Sequence, residues 1–168
     1  MVNSSPVQSV RILPADYGNK IHAQALVTLL DAYACDPAGG GEPLSDFTKA
    51  NVVRELGRRP QVFSVLAFDS SEPVGLVNAI EGFSTFACRP LVNVHDVVVT
   101  ASHRGRGIAA LMLAEVERIA RERGACKLTL EVLSGNAGAI RLYKRVGFAD
   151  FQLDPAMGRA QFLQKWLA

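Results

Sequence analysis

The chain has 168 residues, 49% hydrophobic and 20% charged, with 18 basic against 16 acidic side chains for a formal charge of +2. That composition excludes a disordered or fibrous chain, and the near-neutral balance argues against a nucleic-acid binder, which would carry a strongly basic face. Cys35, Cys88 and Cys126 are far apart and odd in number, so they form neither a disulfide framework nor a CxxC metal knuckle, and reduced cytosolic thiols are expected.

The opening MVNSSPVQSV lacks a basic n-region and an apolar h-region, so no secretion signal is expected. No apolar run approaches the roughly 20 residues of a membrane span. The expectation is a soluble, cytoplasmic, single-domain protein over residues 1–168, without a membrane or nucleic-acid partner. Charge is uneven along it. Residues 1–103 carry 7 basic and 10 acidic side chains, and residues 104–168 carry 11 and 6. Such a split would suit an anion on one half and a cation on the other, or simply a solvated surface.

Ser9–Leu13 reads as a short first strand. Pro14 and Asp16 offer a start for a helix over about 17–34, with Ile21, Ala25, Leu26, Leu29 and Ala32 as its buried stripe. Asp36-Pro37 and Gly39-Gly40-Gly41 break that pattern, leaving a connector or a substrate loop. A second helix is predicted over Leu44–Gly57, opened by Ser45 or Asp46. Val62–Phe68 and Pro73–Ile80, joined by Asp69-Ser70-Ser71-Glu72, form a hairpin signature. Val92–Thr100 (VNVHDVVVT) reads as a central strand. The segment Ala101–Gly107 then leads into a long helix with Ile108, Leu111, Met112, Val116, Ile119 and Ala120 apolar, closed by Gly124. Lys127–Leu133 is predicted as a strand and Asn136–Val146 as a helix ended by Gly147-Phe148. Two further strands are expected around Phe151 and Ala160–Trp166, the second a candidate homodimer surface.

The stretch richest in chemistry is strand, glycine-arginine turn, helix: Val97-Val98-Val99, then Arg104-Gly105-Arg106-Gly107-Ile108-Ala109. A helix N-terminus leaves N–H donors and a partial positive charge free for an anion. Gly105 and Gly107 permit close backbone approach, and Arg104 and Arg106 add charge where a phosphate would sit. The turn is not a Walker loop, because no Gly-Lys-Ser/Thr follows. Nor is it the dinucleotide fingerprint, because the third glycine is missing. A plain strand-to-helix connector has the same outline.

Arg104-Gly105-Arg106-Gly107-Ile108-Ala109 resembles the Arg/Gln-x-x-Gly-x-Gly/Ala motif of the GNAT superfamily of acyl-CoA N-acetyltransferases. Val99, five residues before Arg104, stands where that family has a strand valine. Asn136, Ala139, Leu142-Tyr143 and Gly147-Phe148 reproduce its Asn-x-x-Ala-x-x-Leu-Tyr-x-x-x-Gly-Phe signature. The resemblance is tightest over 92–148.

The resemblance implies an α/β (α+β) fold: a mixed, mostly antiparallel sheet of about 6–7 strands, splayed near Val97–Val99 and flanked by about 4 helices. It implies acetyl-CoA as co-substrate and no metal. The amides of Arg104–Ala109 would hold the pyrophosphate of coenzyme A, and the Val97, Val98 and Val99 edge would hold pantetheine. Asn136 resembles the residue that contacts the pantetheine or the phosphates. Tyr143 resembles the proton donor to the departing thiolate.

The base is less sharply marked. Simple alternation places His95 on the face of Val97 and Val99, with Asp96 on the other unless a bulge intervenes. Arylalkylamine acetyltransferases have a histidine at the place of His95 and polyamine acetyltransferases a glutamate. His95 is therefore the candidate base, through water, against the alternative of a satisfied core histidine; Asp96 could instead orient an ammonium. His103 would line the turn or solvent. Asp36, Glu42, Asp46 and Glu81 are candidate acceptor-side carboxylates, while Phe83 and Phe86 are expected to pack in a strand. Cys88 has only Arg89 beside it and no nucleophilic role. The implied activity is acetyl transfer to a primary amine of a small molecule or peptide. The competing readings are a catalytically silent acyl-CoA-binding module and a plain α/β domain.

Overall fold

The computed structural model describes residues 10–151, 153–158 and 160–167. It contains two compact units, Met1–Leu130 and Glu131–Ala168. The first begins with β1 (Val10–Pro14), α1 (Lys20–Cys35) and α2 (Asp46–Gly57). It continues through β2 (Val62–Asp69), β3 (Glu72–Ser84), β4 (Arg89–Val99), α3 (Ile108–Glu122) and β5 (Leu128–Leu130). The second holds α4 (Ala137–Arg145).

The strands form one sheet in the order β1-β2-β3-β4-β5. Every neighbour is antiparallel except β4 and β5, which run parallel and pair only over Val92–Val94 with Leu128–Leu130. Beyond Val94, β4 is paired on its β3 side alone among the described strands. That divergence is the expected splay.

Both faces of β2 are covered, so Val62–Phe68 is buried without a break and reads as a continuous apolar run. On one face Ala25, Leu26 and Leu29 of α1 pack with Leu66, Phe68, Leu76 and Val98. Each fully buried leucine there contributes roughly 1.5–3 kcal/mol. On the other face lies α3, with Ile108, Met112, Leu113, Val116 and Ala120 buried. Gly75 leaves room for one of them: an added Cβ would fall 2.8 Å from the Met112 methyl carbon and 3.1 Å from the Ala67 Cβ.

Several expectations are corrected. The helix α1 starts at Lys20, because the Asn19 side chain accepts from the Ile21 and His22 amides, while Asp16 instead folds a turn onto the Gly18 amide. Ile21 and Ala32 fall off its buried face, as does Leu111 in α3. The β3–β4 hairpin is longer than predicted: Phe83 pairs with Pro90 and Ser84 with Arg89. Phe83 and Phe86 do not pack; both are exposed. The strand expected over Lys127–Leu133 shrinks to Leu128–Leu130. Neither C-terminal strand is present among the described residues. Phe151 and residues 160–167 are not in strands, and Phe162 and Trp166 are exposed. Among the described residues the sheet therefore has five strands, not six or seven.

Candidate functional site

The first unit places the glycine-arginine turn directly after the unpaired part of β4. The Thr100 amide donates to the Val74 carbonyl at 2.9 Å, so strand alternation turns the amides and carbonyls of Val97 and Val99 toward the open edge. Val98 points into the core with 6% exposure. Its side chain is structural, while the strand on either side of it offers main chain to an extended partner.

Past Thr100 a short 3₁₀ turn, Ala101–His103, is anchored by the buried His103. Its Nδ1 lies 2.9 Å from Ser102 Oγ and 3.1 Å from Thr100 Oγ1, and its Nε2 lies 3.4 Å from the Asp69 carboxylate. His103 therefore fastens the turn to the β2–β3 hairpin instead of facing solvent. Gly105 (φ 78°) and Gly107 (φ 80°) then take left-handed conformations, which L side chains rarely adopt. Gly107 is the N-cap of α3 and brings no capping side chain. Asn19 and Ser45 cap α1 and α2. At α3 the amides of Ile108, Ala109 and Ala110 are left at the positive end of a 15-residue helix. Backbone donors, two glycines and the exposed Arg106 form a donor set that fits a pyrophosphate.

Arg104 is already engaged. Its Nε donates to the Val99 carbonyl at 3.2 Å and its Nη2 to Asp36 Oδ2 at 3.0 Å. It thus ties the end of β4 and the loop after α1 to the turn. The Ala38 amide, and then Arg104, hold the Asp36 carboxyl below the usual aspartate range.

His95 is not a core histidine; it is exposed. Nor does it alternate simply with Val97 and Val99. Asn78 pairs with Asp96 and Ala79 with Val94, so His95 is the extra residue of a β-bulge. That bulge places Val92, Val94, Val97 and Val99 on one face, and Asp96 and Val98 on the α1 face. Tyr33 of α1 lies in the field of Asp96 and Asp36, and burial together with those two charges raises its phenol above the ordinary range.

The other acceptor-side candidates separate. Glu81 is paired with Arg123 at 3.2 Å, and Glu42 and Asp46 are exposed. Cys88 is exposed in the β3–β4 turn at φ 48°. Two open depressions lie away from the turn, one lined by Tyr17, Val53, Gly57 and neighbours, the other by Gln24, Phe68 and Pro73 among others. Among the described residues no group of three or more His, Cys, Asp or Glu could hold a metal ion.

In the second unit Asn136 caps α4, its Oδ1 accepting from the Ala139 amide at 3.1 Å. The helix ends in a Schellman motif. The Phe148 amide returns to the Tyr143 carbonyl at 2.9 Å, the Gly147 amide to the Lys144 carbonyl at 3.2 Å, and Gly147 has φ 100°. The Tyr143 and Phe148 rings meet edge to face, 5.9 Å between centroids. Part of the Leu-Tyr-x-x-x-Gly-Phe signature is therefore a helix-stop device, which leaves the Tyr143 hydroxyl as its chemical group.

Sequence reasoning missed Ser64 and Asn78, and named a bulge only as the exception to simple alternation. The available signal was a lone polar residue inside each apolar run, VFSVLAF and PVGLVNAI.

The sequence model of the acetyltransferase (GNAT) family matches residues 26–148. Streptothricin acetyltransferase of Streptomyces lavendulae is 39% identical over 87 residues, which is 50% of this chain and 46% of that protein. The matched region thus spans about half of that relative's length. Among solved structures, a probable acetyltransferase superposes with a TM-score of 0.77 at 19% identity, covering 94% of this chain and 99% of its own. AAC(6')-Iy bound to a CoA bisubstrate analog of acetylneamine gives 0.75 at 18% identity, covering 94% of this chain and 99% of its own.

Proposed function

The chain belongs to the acetyltransferase (GNAT) family, and we propose that it transfers the acetyl group of acetyl-CoA to a primary amine of a small molecule or peptide. The observation that carries this reading is the uncapped start of α3 at Gly107, set directly after the open edge of β4. The amides of Gly105–Ala109 would hold the pyrophosphate, with Arg106 supplying charge. The outward amides of Val97 and Val99 would pair with the pantetheine arm, and one of them would donate to the thioester carbonyl as charge builds on its oxygen.

The amine nitrogen attacks the acetyl carbonyl carbon, the carbon–sulfur bond breaks, and the sulfur leaves with the bonding pair. An ammonium must first lose its proton, since alkyl amines titrate at about 10.4. His95, exposed at the bulge, would take that proton through water. In the second unit Tyr143 would return a proton to the thiolate, and Asn136 would contact the cofactor. Residues 1–168 would act as one N-acetyltransferase domain, a reading supported by a family match that runs through both units. A cationic acceptor is favoured by the acidic balance of residues 1–103 and by the carboxylates around Tyr33.

The test is calorimetric titration with acetyl-CoA at low and moderate salt, followed by release of the CoA thiol in the presence of amines. Micromolar, salt-sensitive binding and amine-dependent thiol release are expected. A folded protein that binds no acetyl-CoA at either salt would sink the reading.

A further inference from the structure

Ser64 and Asn78 are buried side chains in strands that are otherwise apolar at their centres, with 1% and 5% exposure. They lie opposite one another across β2 and β3, and Asn78 lies opposite Asp96 across β3 and β4. One rung of the sheet is therefore polar on its α1 face. Ser64 Oγ donates to Asn78 Oδ1 at 2.6 Å, and Asn78 Nδ2 donates to Asp96 Oδ2 at 3.0 Å. Behind them the Tyr17 hydroxyl lies 2.9 Å from Ser64 Oγ.

The chemistry fixes the direction of the chain. A carboxylate only accepts, so Asn78 must turn its NH₂ to Asp96 and its oxygen to Ser64. Ser64 then spends its one proton on Asn78, which leaves Tyr17 as the donor to Ser64. Every dipole in the row points at the Asp96 carboxylate. The amide in the middle does not pass protons readily, so the row holds the carboxylate and does not relay protons to it. Asp96 Oδ1 takes no hydrogen bond from the described residues. The bulge decides which residue receives this support: without the extra residue, His95 would stand opposite Asn78.

On the transferase reading given above, we infer that Asn78, backed by Ser64 and Tyr17, is a positioning residue that holds Asp96 for the ammonium group of the acceptor. Burying an amide and a hydroxyl is costly unless their bonds are made, and here they are made toward one partly exposed carboxylate. A row that served stability alone could be exchanged for apolar side chains without touching substrate.

The test uses the full chain with spermidine, sisomicin and a lysine-containing peptide as amine probes. Asn78→Leu should raise the acceptor KM about tenfold and leave the acetyl-CoA KM within about twofold. Ser64→Ala and then Tyr17→Phe should do the same by progressively smaller factors, and Tyr17→Phe preserves shape should the Asn78 variant fold poorly. Amine binding is read independently as the melting-temperature shift with each probe, which should be present in the wild type and lost in Asp96→Asn and Asn78→Leu. An unchanged acceptor KM in the folded variants, an unchanged shift, or no wild-type shift with any probe would overturn the inference. A wild-type shift lost in both variants, without acetyl transfer by the wild type, would overturn the transferase reading and keep the positioning row.

Discussion

The helices α3 and α4 end alike and begin differently. Both stop in a Schellman motif, at Gly124 and Gly147, with the Ala125 amide returning to Ala120 and the Phe148 amide to Tyr143. At the start, Asn136 satisfies its own helix by capping the Ala139 amide, whereas Gly107 caps nothing. One helix is closed at its N-terminus by its own sequence; the other leaves main-chain donors for something outside it. The lesson is a division of labour: α3 offers its backbone, while α4 can offer only side chains.

Substitutions should separate those two modes. The largest effect belongs to α4: Tyr143→Phe should cut turnover about 100-fold or more, the scale of a lost general acid. Acetyl-CoA affinity should not move, and the ring contact with Phe148 survives; undiminished turnover would take α4 out of the chemistry. Next, Gly107→Asp puts a carboxylate at the open donors of α3. Calorimetry should show acetyl-CoA binding weakened about 30-fold, or about 2 kcal/mol, and unchanged binding would mean the donors face no phosphate. Arg106→Glu should cost about tenfold in affinity at low salt, and the loss should shrink as ionic strength rises.

Asn136→Ala should lower stability by about 1 kcal/mol in denaturant titration, the value of an N-cap, whereas Asn136→Ser should keep most of it. The smallest effect is the pH response of the Asp36–Arg104 tie. Because folding depresses the Asp36 pKa, the stabilisation is fully present above the ordinary aspartate value of about 3.9. It is lost as pH falls through the lower folded value. The melting-temperature gap between wild type and Arg104→Ala should hold from about pH 8 to about pH 5 and close only in stronger acid. A gap that closed near neutrality would break the tie assigned to Asp36.

Much of this was legible in the sequence because it depends on local chemistry. Periodicity placed the helices, Ser45 was one of two candidates to open α2, and the glycine-arginine turn could be read residue by residue. What escaped depends on strand register. No single-strand pattern reveals that β4 carries an extra residue at His95, so simple alternation assigned it a face it does not keep. Asn78 and Ser64 looked like minor interruptions of apolar runs until pairing set them on one rung with Asp96. Phe83 and Phe86 have strand-forming side chains, but the hairpin they extend runs beyond the cover of any described helix. The apolar residues after Phe151 have the composition of a strand, but composition does not supply pairing, and the described ones form none.

Gly75 also bears on an elevation. Having no side chain, it leaves room for the end of the Met112 side chain of α3, and it stands opposite Val99, the last residue of β4. A missing methyl group on one rung is thus part of what seats α3, whose start is the proposed anion cradle, over the strand edge. A methyl there would press on the end of the Met112 side chain and on Ala67, and whatever that side chain did not absorb would act as a shim under α3. On the transferase reading, the two elements proposed to hold one cofactor would then each be intact and be set to the wrong length.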